Sequence, residues 1–125
     1  MKKIYHLGNC TTCQAIIKKT AIDKKSKGFA FQEIKTESIT PAQLDEMKKM
    51  AGSYEALFSR RALKYKEMGL KDKKLTETDI RDLILSEYTF LKRPVVIDGD
   101  KIFIGSEKKN VEALTAQVTS RKGAK

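Results

Sequence analysis

Cysteine, histidine and long apolar runs are all scarce in this chain, and each scarcity removes a class of protein. The two cysteines stand three positions apart, as Cys10-Thr11-Thr12-Cys13. A secreted disulfide scaffold would carry more of them at wider spacings, so a reducing compartment, the cytoplasm, is expected. A structural zinc site needs about four ligands, and two thiols with a single histidine, His6, fall short of that within one chain. Haem attachment places histidine directly after the second cysteine, where Gln14 stands instead. Apolar runs reach only a handful of residues, so no membrane span is expected. The opening Met1-Lys2-Lys3-Ile4-Tyr5-His6-Leu7-Gly8 has two positive charges but no long apolar stretch and no small-residue cleavage site. It reads as the first strand of a mature protein, not as a signal peptide. Internal repeats and low-complexity segments are lacking too.

What is present suits one domain. The 125 residues, 40% hydrophobic and 34% charged, are enough to bury a core without disulfide staples. The net charge of +10 would suit nucleic acid, an acidic membrane or an anionic substrate. The lysines, however, are spread along the chain on the polar faces of predicted helices, which is the pattern of a solvated surface. Only Ser120-Arg121-Lys122-Gly123-Ala124-Lys125 reads as a loose basic tail.

Patterning along the chain predicts alternating strands and helices. Lys2 to Leu7 reads as a strand closed by Gly8-Asn9, and a helix follows from about Thr11, with Cys13, Ile16, Ile17 and Ala21 on one face. Phe29-Ala30-Phe31-Gln32-Glu33-Ile34 supplies a second strand, completing a βαβ unit. Thr40-Pro41-Ala42-Gln43 offers an N-cap, a proline at the first helical position and a capping-box glutamine. Leu44 and Met47 share a face of that helix, and Gly52 is placed to stop it. A second helical piece is predicted from about Ser53 to Met68, ending at Gly69. A third starts at Thr76, with Asp79 three residues on, and buries Ile80, Leu83 and Ile84. Pro94-Val95-Val96-Ile97 and Lys101-Ile102-Phe103-Ile104 flank Asp98-Gly99-Asp100 as a hairpin. A last helix carries Val111, Leu114 and Val118. The three central helices read as an insertion between the βαβ and ββα halves.

The cysteine turn carries the chemistry. A cysteine at a helix N-terminus meets free amide donors and the positive end of the dipole, both of which favour thiolate. In Cys-x-x-Cys pairs the first thiol is commonly the exposed, low-pKa one. Cys13 lies one turn on, within disulfide reach, and Thr11 and Thr12 add hydroxyls and amides that suit an oxyanion. The competing reading is two buried, inert cysteines. Lysine far outnumbers arginine, so the places of Arg60-Arg61, opening a helical segment, and Arg93-Pro94, opening the third strand, stand out. Arginine brings a planar fork and a permanent charge, and near Cys10 it would depress the thiol pKa. Taken alone, each reads more often as a surface arginine, and an X-Pro peptide is usually trans.

These features together resemble a known family. A cysteine after the first strand is followed by Leu57-Phe58-Ser59-Arg60-Arg61, then Tyr65-Lys66-Glu67-Met68-Gly69-Leu70, then Phe90-Leu91-Lys92-Arg93-Pro94-Val95-Val96. In that order and at those separations the chain is similar to the arsenate reductase (ArsC)/Spx family. The resemblance implies an α/β fold: a thioredoxin-like mixed four-stranded sheet over residues 1–119 with an inserted helical subdomain at about 38–88. It also implies that Pro94 is a cis-proline facing the cysteine turn and that Cys10 is the nucleophile. Arg61 and Arg93 would hold the anion and stabilise the thiolate, with Thr11, Thr12, Arg60 and Pro94 contacting substrate.

The chain departs from the true arsenate reductases of this type at Ile104-Gly105, where they carry a third arginine, and at Cys13-Gln14, where they have serine and arginine. Two functions follow from the resemblance. As an enzyme, Cys10 thiolate attacks an oxyanion or disulfide and Cys13 resolves the adduct. No cofactor is bound, and glutathione, a glutaredoxin or a thioredoxin serves as reductant. As a regulator, a Cys10–Cys13 disulfide switches a surface that docks on RNA polymerase, with no direct nucleic-acid or membrane contact.

Overall fold

The computed structural model describes residues 2–8, 10–22 and 28–123, with the side chains of 119–123 excepted. The predicted turn residue Asn9 and the last two residues of the basic tail lie outside the described residues. Close contacts gather the chain into two compact units, one formed by 1–36 with 93–125 and the other by 37–92.

The first unit holds the sheet. Its strands are β1 (Lys2–His6), β2 (Ala30–Glu33), β3 (Val95–Asp98) and β4 (Lys101–Ile104). They lie in the order β2-β1-β3-β4, with β1 parallel to β2 and antiparallel to β3, and β3 antiparallel to β4. This is the mixed four-stranded sheet expected from the resemblance. β1 and β3 are the inner strands and must bury both faces, which accounts for consecutive buried residues at Ile4-Tyr5 and along all of β3. The hairpin turns through Gly99-Asp100, since Asp98 pairs with Lys101. Gly99 has φ +65° there, a conformation glycine adopts without steric cost.

Register puts Ile4, Val96 and Phe103 in one row across the sheet. That row packs against α1 (Thr11–Thr20) and α5 (Lys108–Gly123) through Ile16, Val111, Leu114 and Val118. Each such side chain contributes about 1.5–3 kcal/mol when fully buried, so this layer is a substantial part of what stabilises the unit. The periodicity of α5 is as predicted, but its backbone continues helical through Gly123, into the stretch read as a loose tail. In α1 the buried face is Cys13, Ile16 and Thr20. Ala21 is instead the C-cap, at a left-handed φ of 55°. Thr20 is buried because its hydroxyl donates back to the Ile16 carbonyl at 2.9 Å.

The second unit contains α2 (Pro41–Ala51), the five-residue α3 (Leu63–Glu67) and α4 (Glu77–Ser86). The predicted capping box of Thr40 with Gln43 is made, and Thr76 forms another with Asp79. Gly52 closes α2 at φ +97°. Leu44, Met47, Ile80 and Ile84 are buried as expected, while Leu83 is half-buried. Of the helix predicted from Ser53 to Met68 only Leu63–Glu67 is α-helical. A 3₁₀ turn at Glu55–Leu57 gives way to an extended Phe58, which forms an antiparallel bridge with Leu91. The Lys92 amide donates to the Leu57 carbonyl at 2.8 Å, and the Ser59 amide donates to the Phe90 carbonyl at 2.7 Å. An extended segment more than thirty residues away thus takes hydrogen bonds that a helix would have used. Phe58 stacks on Phe90 at 5.3 Å and meets Tyr65 edge-on at 5.9 Å. Arg60-Arg61 consequently sits in a turn before α3 and does not open a helix.

Candidate active site

Cys10 is the N-cap of α1. Its backbone is extended, at φ −91° and ψ 112°, and its sulfur accepts a hydrogen bond from the Cys13 amide at 3.5 Å. The arrangement is that of a serine cap with sulfur in place of oxygen. The amide of Cys10 donates to the Leu7 carbonyl at 3.2 Å, and its carbonyl receives the Gln14 amide at 3.0 Å, the first bond of the helix. Cys10 is half-buried, whereas Cys13, one turn on and facing inward with Ile16, has no exposed surface. Both thiols are free.

The surroundings drive the two thiols apart. Burial pushes Cys10 up, but the Cys13 amide, the Cys13 thiol, the Thr12 amide and the charge of Arg93 together outweigh it, and the Cys10 thiol ends below its ordinary value. Burial pushes Cys13 up to about 11, opposed by a backbone hydrogen bond from Leu7 and reinforced by the neighbouring Cys10. The surroundings thus favour the thiolate form of Cys10, which accepts from a neutral thiol at Cys13. Such a pair offers an attacking sulfur with a second sulfur in reserve, and the desolvated, buried partner is protected from side reactions.

The other expected residues are placed as follows. Thr11 and Thr12 are exposed at the first helical positions. The Arg93–Pro94 peptide is cis, as the resemblance implies and against the commoner trans form. Arg93 is half-buried and its charge acts on both thiols. Pro94 is buried, and its carbonyl accepts from the Gly105 amide at 2.9 Å. Arg60 and Arg61 belong to the second unit. There Arg60 pairs with Glu55 at 2.8 Å and lies over the Phe58 ring, and Arg61 is exposed. The roles expected of these two arginines rest on the resemblance. Among the described residues no group of three His, Cys, Asp or Glu comes together to hold a metal ion, and no helix is long and apolar enough to cross a membrane.

Two residues at the site carry no sequence signal of their own. The Gln14 side-chain amide donates to the Gly8 carbonyl, and the Glu33 carboxylate accepts from the Gly8 amide at 2.7 Å. Gln14 is conspicuous in the sequence only for being neither histidine nor arginine. Glu33 reaches Gly8 only because β2 lies alongside β1.

Known proteins similar to this chain share its fold. The ArsC family model matches residues 5–114. Similar solved structures include the SACOL0876 protein of Staphylococcus aureus, 28% identical with a TM-score of 0.71, covering 90% of this chain and 97% of that one. An arsenate reductase from Vibrio cholerae is 16% identical with a TM-score of 0.73, covering 95% of each chain. An arsenate reductase related protein from Brucella melitensis is 22% identical with a TM-score of 0.66, covering 90% of this chain and 92% of that one. No curated protein sequence matches the chain. With the family model matching nearly the whole length and the fold shared with these structures, the chain belongs to the ArsC family.

Proposed function

We propose that the protein is a thiol-dependent oxidoreductase of the arsenate reductase type, in which Cys10 thiolate attacks an oxyanion or a disulfide. The observation that carries this reading is the opposed state of two thiols one helical turn apart: Cys10 lowered and accessible, Cys13 raised to about 11 and buried. With a disulfide substrate, Cys10 sulfur bonds to one sulfur and the other leaves as a thiolate. With arsenate, the Cys10–arsenic bond forms as an oxygen leaves with protons as water. Cys13, once deprotonated, then attacks the Cys10 sulfur. The adduct bond breaks, its electron pair departs with the thiolate or with arsenic as arsenite, and a Cys10–Cys13 disulfide remains. An external thiol such as glutathione, or a dithiol protein of the glutaredoxin or thioredoxin class, supplies the two electrons that restore the pair. The Thr12 amide and Arg93 stabilise negative charge at the reacting centre.

The order of events is built into the pair. Two causes that hold Cys13 up are its hydrogen bond to the Cys10 sulfur and that sulfur's charge. Both are lost when Cys10 becomes bonded to substrate while burial, the largest cause, persists, so Cys13 is more readily deprotonated for attack once an adduct exists. A cytoplasmic setting suits the cycle, since thiols are kept reduced there.

The test uses Cys13→Ser with glutathione disulfide. A stable single glutathione adduct on Cys10 by mass spectrometry, against turnover by the wild type with an external reductant, supports the mechanism. Normal turnover by Cys13→Ser eliminates the resolving role, and a Cys13→Ser variant that neither forms an adduct nor turns over, beside a wild type equally inert, eliminates the nucleophile.

A further inference from the structure

The backbone leading into Cys10 is held by side chains from two different elements. The Gly8 amide donates to Glu33 Oε1 at 2.7 Å, and the Gly8 carbonyl accepts from the Gln14 side chain. Glu33 is itself tied down: the Thr36 amide donates to its Oε2 at 3.2 Å and the Thr36 hydroxyl at 3.1 Å. The fit is close: a Cβ at position 8 would stand 3.1 Å from Glu33 Oε1 and would displace the carboxylate by a few tenths of an ångström. The Leu7 carbonyl takes the Cys10 amide, and the Cys10 carbonyl takes the Gln14 amide. Gln14 therefore clamps this segment twice, once with its backbone and once with its side chain.

We propose that Glu33 and Gln14 are positioning residues, which grip Gly8 from both sides and so hold Cys10 extended at the helix cap, with its sulfur on the Cys13 amide. The proposal rests on the reading of Cys10 as the reacting thiol. Neither side chain acts as a catalytic group. Charge makes the proposal sharply testable. The charge that bears on Cys10 is that of Arg93, beside the neutral Cys13 thiol, and the titratable neighbours of Glu33 include His6. Glu33 is an anion, so by its field alone its removal favours a thiolate at Cys10. Loss of positioning works in the opposite direction, by taking the sulfur off its amide donor.

The experiment is the pH profile of iodoacetamide alkylation of Cys10 in the wild type, Glu33→Ala, Glu33→Gln and Gln14→Ala, each checked by thermal unfolding. Glu33→Ala is expected to raise the Cys10 midpoint by half to one pH unit, about three- to tenfold slower alkylation at pH 7. Glu33→Gln keeps the acceptor for Gly8 and is expected within about twofold of the wild type. Gln14→Ala, an exposed change with little effect on melting, is expected to shift the midpoint upward as well. A Glu33→Ala or Gln14→Ala midpoint at or below that of the wild type overturns the positioning role while leaving the nucleophile standing. A wild-type midpoint at the ordinary thiol value overturns the nucleophile itself, and the positioning role with it.

Discussion

Cys10 and Cys13 differ in burial more than in any contact, and burial is the largest influence on both. At Cys10 it is overcome because a half-open helix cap supplies amide donors; at Cys13 it prevails. The wild type is therefore expected to take up one equivalent of iodoacetamide near neutral pH, with Cys13 reacting only as the pH approaches 11 or in denaturant. The Cys10→Ser variant refines this. Replacing the thiolate removes both its charge and its pull on the Cys13 proton, so the Cys13 titration moves down from its wild-type position. A Cys13 midpoint unchanged in that variant, followed by absorbance of the thiolate, would show the two sulfurs to be uncoupled. The pair itself is legible in the sequence because Cys-x-x-Cys after a strand is a local pattern. The grip on Gly8 is not, because Glu33 lies 25 residues from its partner and only the β1–β2 register brings them together.

Among the elements, the helix starts are the most readable feature. Thr40-Pro41-Ala42-Gln43 and Thr76-Glu77-Thr78-Asp79 each contain their whole capping box within four residues, so no distant partner is needed to interpret them. Thr76→Ala is expected to destabilise the protein by about 1 kcal/mol, measured as a lowered midpoint in urea, with Thr76→Ser restoring most of it. A Thr76→Ala midpoint matching the wild type would mean that α4 does not depend on this cap. The stretch from Ser53 to Met68 shows the opposite case. Its apolar spacing suits a helix, yet Phe58 is extended because Leu91 offers a bridge and Phe90 a stacking face. Tertiary pairing decides such a segment over propensity. The same holds for Ala21, where a helix ends on a left-handed alanine with no glycine to announce it.

At the scale of the whole molecule, acid is the condition that tests the charge balance. Hydrogen bonds and ion pairing hold Asp45 down to about 2, chiefly through Arg81 and Tyr54, and hold Glu33 and Asp79 below their ordinary values through backbone amides. Depressed carboxylates contribute stability that is fully present above their unfolded values near 4 and lost as the pH falls through the lower folded ones. Protonation also adds positive charge to a chain already at +10, which increases self-repulsion. Melting temperature is therefore expected to be flat from pH 7 to 5 and to fall steeply between 4 and 2, with added salt relieving part of the loss. A melting temperature unchanged down to pH 2 would remove these carboxylates from the account. The strand order has a consequence of a different kind, in time. β1 is synthesised first, yet its antiparallel neighbour β3 pairs Lys2 with Asp98, and Arg93 leaves the ribosome 83 residues after Cys10. At about 5–20 residues per second that interval is roughly 4–17 s. The nascent chain thus carries Cys10 for several seconds before Arg93, whose charge helps to lower its thiol pKa, has been made, and under the proposed mechanism the thiol is fully tuned only when the sheet closes.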